Sequence, residues 1–529
     1  MFSKYRAVTP YLLFTVCVYL FGAILYGIDT GSFGSLQALP SFTKKFGKYD
    51  ATTDTYALPS STKAAMNSIP FAGQALGAFL SSNVADLLGY KLTMIVLAIV
   101  QVIAVIIELT CKFTGSWGQF TAGRFLAYAT GLAEMVVTHY NSEISPASTR
   151  GLLAGSMILF NALGNLWGAG MSRAFATETG DRGWLIPQGV QLIPAAVILT
   201  LVWFTPESPR WLVQKNRREE ALQSLNKLRP RRDVDNGFTR AEIDNIELSI
   251  QEAAGTNREG RWMDLCRGNM LRRTWLAWSL FVFLQFSGVQ FCNSYAATLY
   301  VSVGLAGKSF TYIVIGNSLQ VVSCLFQIIG YDYFGRRIFA TLGGFFCFIF
   351  LTVIAEVGGS GTNIPTDARS INAIIASVIL VQTFSRWSVS NAFVIGAEIG
   401  GVKMRRKVLA TSGVVNMASA ILVTSVVPYL MDVEPGSAGF GARTAWFFAA
   451  TSLILVFFGL FLIPELKGRS LEEVDELFDA KLRWGWQFAS YKTTGTGARI
   501  AAIENEDHNH IRKLSATEVE LEKSSEQEA

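Results

Sequence analysis

Charge is scarce in this chain. Lys, Arg, Asp and Glu make up only 16% of the 529 residues, against roughly 25% in a soluble domain. That shortage excludes a water-soluble enzyme with an ordinary solvated surface. The apolar content, half of all residues with a mean hydropathy of +0.34, excludes a disordered or fibrous chain. Histidine occurs three times. No nucleophile–base set and no metal-ligand spacing stands out, so no enzymatic centre, metal or cofactor is expected. The six cysteines do not form a disulfide framework. Cys17, Cys292, Cys324 and Cys347 fall inside apolar runs, where they read as small hydrophobes, and Cys111 and Cys266 have no convincing partner. An excess of 45 Lys and Arg over 40 Asp and Glu, spread over this length, does not point to nucleic acid.

What the sequence does have is long apolar runs, each near the roughly 20 residues a helix needs to cross a bilayer. They fall at 10–35, 66–87, 92–111, 117–139, 151–172, 185–205, 275–302, 310–331, 338–356, 371–398, 408–430 and 443–463. Continuous runs, rather than alternation, exclude an outer-membrane barrel. The first run is too long for a signal-peptide core and reads as the first span. The expected fold is an all-α membrane protein of twelve transmembrane helices in two six-helix repeats. Its expected parts are an N-terminal bundle over 1–205, a cytoplasmic helical linker domain over 206–274, a C-terminal bundle over 275–463 and a polar tail over 464–529. The acidic end of that tail, with Glu518, Glu520, Glu522, Glu526 and Glu528, is expected to be disordered. Orientation follows from basic residues in short loops. Arg336 and Arg337, then Lys403, Arg405, Arg406 and Lys407, place both termini in the cytoplasm, and a plasma-membrane protein functional as a monomer is expected.

Three loop signatures recur in the same order in both halves. Asp86-x-x-Gly89 returns as Asp332-x-x-Gly335, Glu143…Arg150 as Glu398…Arg405, and Pro206-Glu207 as Pro464-Glu465. The pattern predicts parallel repeats with a substrate site between them near the midplane.

The same loops resemble the sugar porter family of the major facilitator superfamily, in a fungal-type form, over residues 10 to 478. Pro206-Glu207-Ser208-Pro209-Arg210-Trp211-Leu212 and Pro464-Glu465-Leu466-Lys467-Gly468-Arg469-Ser470-Leu471-Glu472-Glu473 are its most specific pieces. Tyr26-Gly27-Ile28-Asp29-Thr30-Gly31, Gly123-Arg124-Phe125, Ser142-Glu143-Ile144-Ser145-Pro146 with Arg150-Gly151, and Asp332-Tyr333-Phe334-Gly335-Arg336-Arg337 match further elements. The hexose-contacting set is half replaced. Ile158 stands where the family has its first span-5 glutamine. Val389-Ser390-Asn391-Ala392-Phe393 stands for the family's G-P-x-x-W element, and Asn416-Met417-Ala418-Ser419-Ala420 for N-W-x-x-N.

Candidate functional residues follow. A carboxylate at mid-span costs about 2.5–3.5 kcal/mol on insertion scales, so Asp29 needs a partner or a task. Arg124 is the natural partner, and the resemblance gives the pair proton coupling; a static ion pair is the alternative. Glu143, Arg150, Glu207, Arg336, Arg337, Glu398, Arg405 and Glu465 are implied to form a cytoplasmic gate, with membrane-interface anchoring as the plainer reading. Asn165, Gln285, Gln290, Gln320 and Asn416 fall where the family places sugar contacts, and amides both donate to and accept from hydroxyls; interhelical hydrogen bonding is the alternative for each. Arg386, about 18 Å along its helix from Glu398 at about 1.5 Å per residue, is outside the family pattern. It either reaches the headgroups, or pairs with Glu108 or Glu134, or faces an anionic solute. Glu108, near an outer helix end, is expected to reach water. The function implied is alternating-access transport of a sugar or similar polyhydroxylated solute by proton symport. The alternatives are a non-sugar solute such as an organic acid or secondary metabolite, and a non-transporting sugar sensor. The partners are then the solute, protons and the lipid bilayer.

Overall fold

The structure, a computed structural model, describes residues 8–491 apart from 51–54, 147–149, 256–261, 303–307, 360–364, 366, 434, 467–470 and 481. Twelve long helical spans run back and forth, six before and six after the polar segment, as the apolar runs predict. The first six are Pro10–Leu36, Ser60–Leu88, Tyr90–Thr114, Trp117–Ala129 continued by Ala133–Ile144, Arg150–Ala174, and Arg182–Gly189 continued by Leu192–Leu201. The second six are Gly268–Phe286 continued by Val289–Ser302, Ser309–Phe334, Arg336–Val357, Ala368–Ile399, Gly401–Met431 and Ala445–Phe461; we number them spans 1 to 12. Spans 2, 7 and 11 start several residues before their apolar runs. A helix does not stop where the hydrocarbon does, because its backbone bonds are internal.

Among the described residues, nine helices are long and apolar enough to cross a membrane by composition alone. Spans 2, 4 and 5 are outside that set because they carry polar groups on buried faces, such as Asn67 and Gln74, Arg124, and Asn161 and Asn165. Without a hydrophobic force between helices in lipid, such helices associate through small residues and polar contacts. Spans 1 and 5 show this: a Cβ on Gly27 would lie 2.3 Å from the Asn161 carbonyl oxygen, so only glycine allows this crossing. Three spans are broken, two of them where candidate residues sit. Span 4 yields to a 3₁₀ turn at Thr130–Leu132 just after Arg124, and span 7 breaks at Ser287–Gly288, between Gln285 and Gln290. Span 6 breaks after Gly189, between its Pro187 and Pro194.

The loop repeat has a physical cause. Gly89 and Gly335 both adopt φ +82°, and a Cβ on either would come within 2.7 Å and 2.6 Å of a carboxylate oxygen of Glu207 and Glu465, respectively. Glu207 accepts from the backbone N–H groups of Tyr90 (3.0 Å) and Lys91 (3.1 Å), and Glu465 from those of Arg336 and Arg337 (3.3 Å each). In each half, then, a glycine that turns the chain and a glutamate from a distant loop together cap the helix that follows. The carboxylate satisfies N–H groups that a helix start leaves open and meets the positive end of its dipole.

Both described chain ends lie at one end of the bundle. There, short helices Pro209–Gln214, Arg218–Leu228, Arg231–Asp235 and Phe238–Gly255 join the halves. Arg229 ties them to span 4, pairing with Glu242 (2.6 Å) and donating to the Ile144 carbonyl (2.8 Å). The polar tail is more structured at its start than its composition suggests. Helices Leu471–Asp479 and Gly485–Ser490 bury Val474, Leu477, Phe478 and Phe488 against Leu276, Leu280 and Phe281, and Asp475 pairs with Arg273. The acidic residues from Glu518 onward lie outside the described residues. At the opposite end a short helix, Pro40–Phe46, and an antiparallel ribbon pairing Lys48–Asp50 with Thr55–Ala57 follow span 1.

Candidate functional site

Asp29 and Arg124 meet inside the first half, with 3.6 Å between Oδ1 and Nε and side chains only 3% and 2% exposed. Arg124 is otherwise fully committed. Nη1 donates to the Met66 carbonyl (2.8 Å), Nη2 to the Tyr128 hydroxyl (3.1 Å), and the guanidinium stacks 3.6 Å from the Phe33 ring centre. Gln191 Nε2 reaches Asp29 Oδ1 at 3.4 Å and is itself held by Gln101, which in turn accepts from Thr130. Above the pair lies an aromatic cluster of Phe33, Phe42, Phe46, Phe120 and Trp184, which closes it from the ribbon end.

Glu108 does not reach water. It is 0% exposed, accepts from Gln188 Nε2, and lies within electrostatic reach of both Asp29 and Arg124. Its sequence position near a helix end concealed this, because the cover comes from neighbouring spans, Gln188 of span 6 and the Gly123 face of span 4, while Lys45 of the short helix Pro40–Phe46 reaches the end of span 3. Of the alternatives for Arg386, pairing with Glu108 finds no support, since Glu108 bonds Gln188 and lies beside Asp29 and Arg124 within the first half. Arg386 is half-buried on span 10 beside Cys324 of span 8. The Glu134 side chain lies outside the described residues.

Of the candidate amides, the structure joins Gln285 and Asn416, whose side chains bond at 2.7 Å across spans 7 and 11. Gln285 Oε1 is buried and without a hydrogen-bond partner among the described residues. Asn165 Nδ2 donates to Asn161, and its Oδ1 accepts from Thr30 of span 1 at 3.1 Å. Gln290 accepts from Ser294 (3.3 Å) and is half-buried. Gln320 stands apart, turned between spans 8 and 10 with Nε2 3.5 Å from the Gln382 carbonyl. Gln382, which the sequence reading missed, bonds the Cys292 carbonyl beside the span 7 break (3.0 Å). An amide in the middle of an apolar run was the signal available for it. Phe393 packs edge-on to Phe281 at 5.0 Å between ring centres.

At the terminal end, Glu143 accepts from the Tyr90 hydroxyl (3.0 Å) and from Ser208, and Glu398 pairs with Arg336 (3.1 Å). Arg337 Nε bonds the Gly459 carbonyl at 3.0 Å. These contacts stay within one half. Burial pushes the Glu207 carboxyl up from its ordinary range, while the backbone N–H groups of Ser208, Lys91 and Tyr90 pull it back. The side chains of Arg150 and Arg405 lie outside the described residues. A cleft of about 630 Å³ nearby, lined by Lys91, Trp203, Trp211 and Lys227, holds none of the candidate amides. Polar contacts between the halves occur at the ribbon end, while apolar packing between them continues to Tyr128 and Ala420. Lys63 pairs with Asp432 at 2.9 Å, Ser60 donates to the same carboxylate oxygen (2.8 Å), and Arg173 donates to Thr311 (2.7 Å).

Two six-helix halves, broken helices at a polar midplane and an intramembrane ion pair define a multi-pass membrane transporter of the major facilitator fold. Residues 14–478 match the family described as sugar (and other) transporter, and the chain belongs to that family. Relatives include the major facilitator-type transporter ecdD of Aspergillus rugulosus, 29% identical over 87% of this chain and 85% of that protein. The quinate permease of Neurospora africana is 28% identical over 87% of each. The low-affinity glucose transporter HXT3 of Saccharomyces cerevisiae is 25% identical over 95% of this chain and 89% of its own. The inward open conformation of the xylose transporter XylE from E. coli superposes with a TM-score of 0.69 at 20% identity, over 88% of this chain and all of that one. At that identity the likeness shows the fold.

Proposed function

We propose that the protein moves a sugar or similar polyhydroxylated solute across the membrane by alternating access, driven by proton symport. The observation that carries this is the Asp29–Arg124 pair. A carboxylate and a guanidinium this deeply buried balance a desolvation cost against mutual attraction. Drawing them apart raises the proton affinity of Asp29, and rejoining them lowers it. The solute site is assigned to Asn165, Gln285, Gln290 and Asn416, whose amides suit hydroxyl groups, with Gln320 at its margin. The charges at the terminal end, Glu143, Arg150, Glu207, Arg336, Arg337, Glu398, Arg405 and Glu465, act as the gate on that side, with Glu207 and Glu465 holding helix starts in place. In this reading the terminal end is cytoplasmic, the membrane is the plasma membrane, the chain works as a monomer, and its activity is transport rather than catalysis. Sugar and proton:xylose transport by relatives and fold neighbours supports it.

A second reading has one observation behind it. Arg386 places a cation in span 10, which favours a carboxylated polyol; a relative that is a quinate permease is of that kind. The test is uptake into cells lacking their own sugar transporters, with neutral sugars and sugar acids offered with and without a proton gradient. Asp29→Asn is expected to abolish accumulation against a gradient. Unchanged uphill uptake in that variant refutes the coupling role.

A further inference from the structure

The coupling site holds one acid more than its arginine can balance. Asp29, Glu108 and Arg124 are 2%, 0% and 1% exposed. They come from spans 1, 3 and 4. Glu108 Cγ occupies the space beside Gly123, where a Cβ would approach it to 2.5 Å; the absence of a side chain next to Arg124 is what admits the second carboxyl. The amides of span 6 divide between the two acids, Gln188 donating to Glu108 Oε2 and Gln191 to Asp29 Oδ1. Each acid keeps one oxygen, Glu108 Oε1 and Asp29 Oδ2, buried and without a hydrogen-bond partner among the described residues. The other titratable groups around Glu108 are Tyr128 of span 4, Cys111 one turn along span 3, and Lys45, whose ammonium is spent on the Lys112 carbonyl at the rim (2.8 Å). None supplies a second buried cation. With both carboxyls ionised, the site would carry a net negative charge sealed from water beneath the aromatic cluster. Two buried carboxylates sharing one partner cannot both stay ionised cheaply, and they titrate as a pair.

We propose that Glu108 is a second proton-binding residue of the transport cycle, forming with Asp29 a dyad that carries one proton and shares Arg124. This rests on the proton-coupled reading above. In the conformation described, Asp29 is the ionised member, because it is the one paired with Arg124, and Glu108 holds the proton on its open oxygen. When Arg124 leaves Asp29, the proton passes from Glu108 to Asp29, and Glu108, now ionised, takes the arginine. In this step one proton moves from one carboxyl oxygen to another, no other bond changes and the net charge stays zero. To complete the cycle, Asp29 releases that proton on one side of the membrane, and Glu108 takes the next from the other side as Arg124 returns to Asp29. A lone aspartate would have to draw its proton from outside while unpaired in a sealed pocket.

The test compares wild type, Asp29→Asn, Glu108→Gln and Glu108→Asp, reconstituted in vesicles with an imposed proton gradient. It reads the accumulation ratio of a transported solute and the pH profile of its uptake. Glu108→Gln keeps the shape and the acceptor facing Gln188 but cannot release a proton. Its accumulation ratio is expected to fall at least tenfold and its uptake to lose the wild-type pH dependence, whereas Glu108→Asp, which keeps a titratable group, retains gradient-driven accumulation. Wild-type accumulation and an unshifted pH profile in Glu108→Gln overturn the proposal. So does equal failure of Glu108→Gln and Glu108→Asp, which would show that shape rather than the proton matters. If wild type itself ignores the gradient, it is the proton-coupled reading that falls, and Asp29→Asn reports that separately.

Discussion

The bridge between Lys63 and Asp432 sets how firmly the halves close at the ribbon end, and replacing Asp432 with Asn measures it. The two groups lie 2.9 Å apart with side chains 14% and 15% exposed, and Ser60 donates to the same oxygen. Exposed ion pairs contribute about 0–1 kcal/mol, and hydrogen bonds to charged groups about 1.5–3 kcal/mol. A pair mostly withdrawn from solvent, with a supporting hydroxyl, falls between, at about 1–2 kcal/mol, which is a factor of about 5–30 in a two-state ratio. Asparagine keeps the size and can still accept from Ser60, so the change isolates the charge. Only the state closed at this end contains the bridge, so its loss shifts population towards the state open there. An impermeant thiol reagent applied from the ribbon side reads the shift, through a cysteine placed in the gap between spans 2 and 11 on a background lacking the native cysteines. The expected rate gain is about five-fold or more. A rate within twofold of the parent would refute the argument that this bridge holds the closed state.

Two further outcomes follow from local geometry. Gly335→Ala puts a side chain at φ +82° and drives its Cβ to 2.6 Å from Glu465, at a cost of about 1–3 kcal/mol; the melting temperature of the detergent-solubilised protein should fall, whereas Gly413→Ala, where a Cβ meets nothing within 4 Å, should leave it unchanged, and equal melting of both would refute the capping argument. Arg386→Gln should abolish uptake of an acidic polyol if the arginine faces the solute, whereas normal kinetics for a neutral sugar would remove it from the site and leave the plain sugar reading.

The two-half plan was legible in the repeated loop signatures, and the span count and the Asp29–Arg124 pair because each departs from ordinary composition. An apolar run of twenty residues has few other uses, and a carboxylate within one is costly enough to demand a partner. Gln285 and Asn416 were legible for the same reason. Glu108 was not, since its distance from water depends on how spans 4 and 6 pack against it. Glu207 and Glu465 were seen as repeated charges, but their contacts with the helix starts depend on the path of the chain at Gly89 and Gly335. The tail helix Leu471–Asp479 was hidden because four apolar residues at helical spacing are diluted by five acidic neighbours in any average taken along the sequence.

The same pair of helices carries both the closure at the ribbon end and the contact nearest the ion pair. Lys63 and Phe71 lie on span 2; Asp432 ends span 11, and Ala420 lies within it. Tyr128, which accepts from Arg124, packs with Phe71 and Ala420, joined by Tyr26 and Met417. Met417 adjoins Asn416, and Asn416 holds Gln285. Proximity alone does not establish coupling; two arrangements of one element, each favoured by a different ligand, are needed. Spans 2 and 11 supply such an element in the proposed cycle. Opening the Lys63–Asp432 end moves span 11 against span 2, which alters the surface under Tyr128 and so one of the three groups that hold Arg124. A solute bound at Gln285 and Asn416 biases the same movement from the other side. If both act on one helix pair, the effect of the proton on solute affinity must equal the effect of the solute on proton affinity, and weakening the bridge must change both by the same factor.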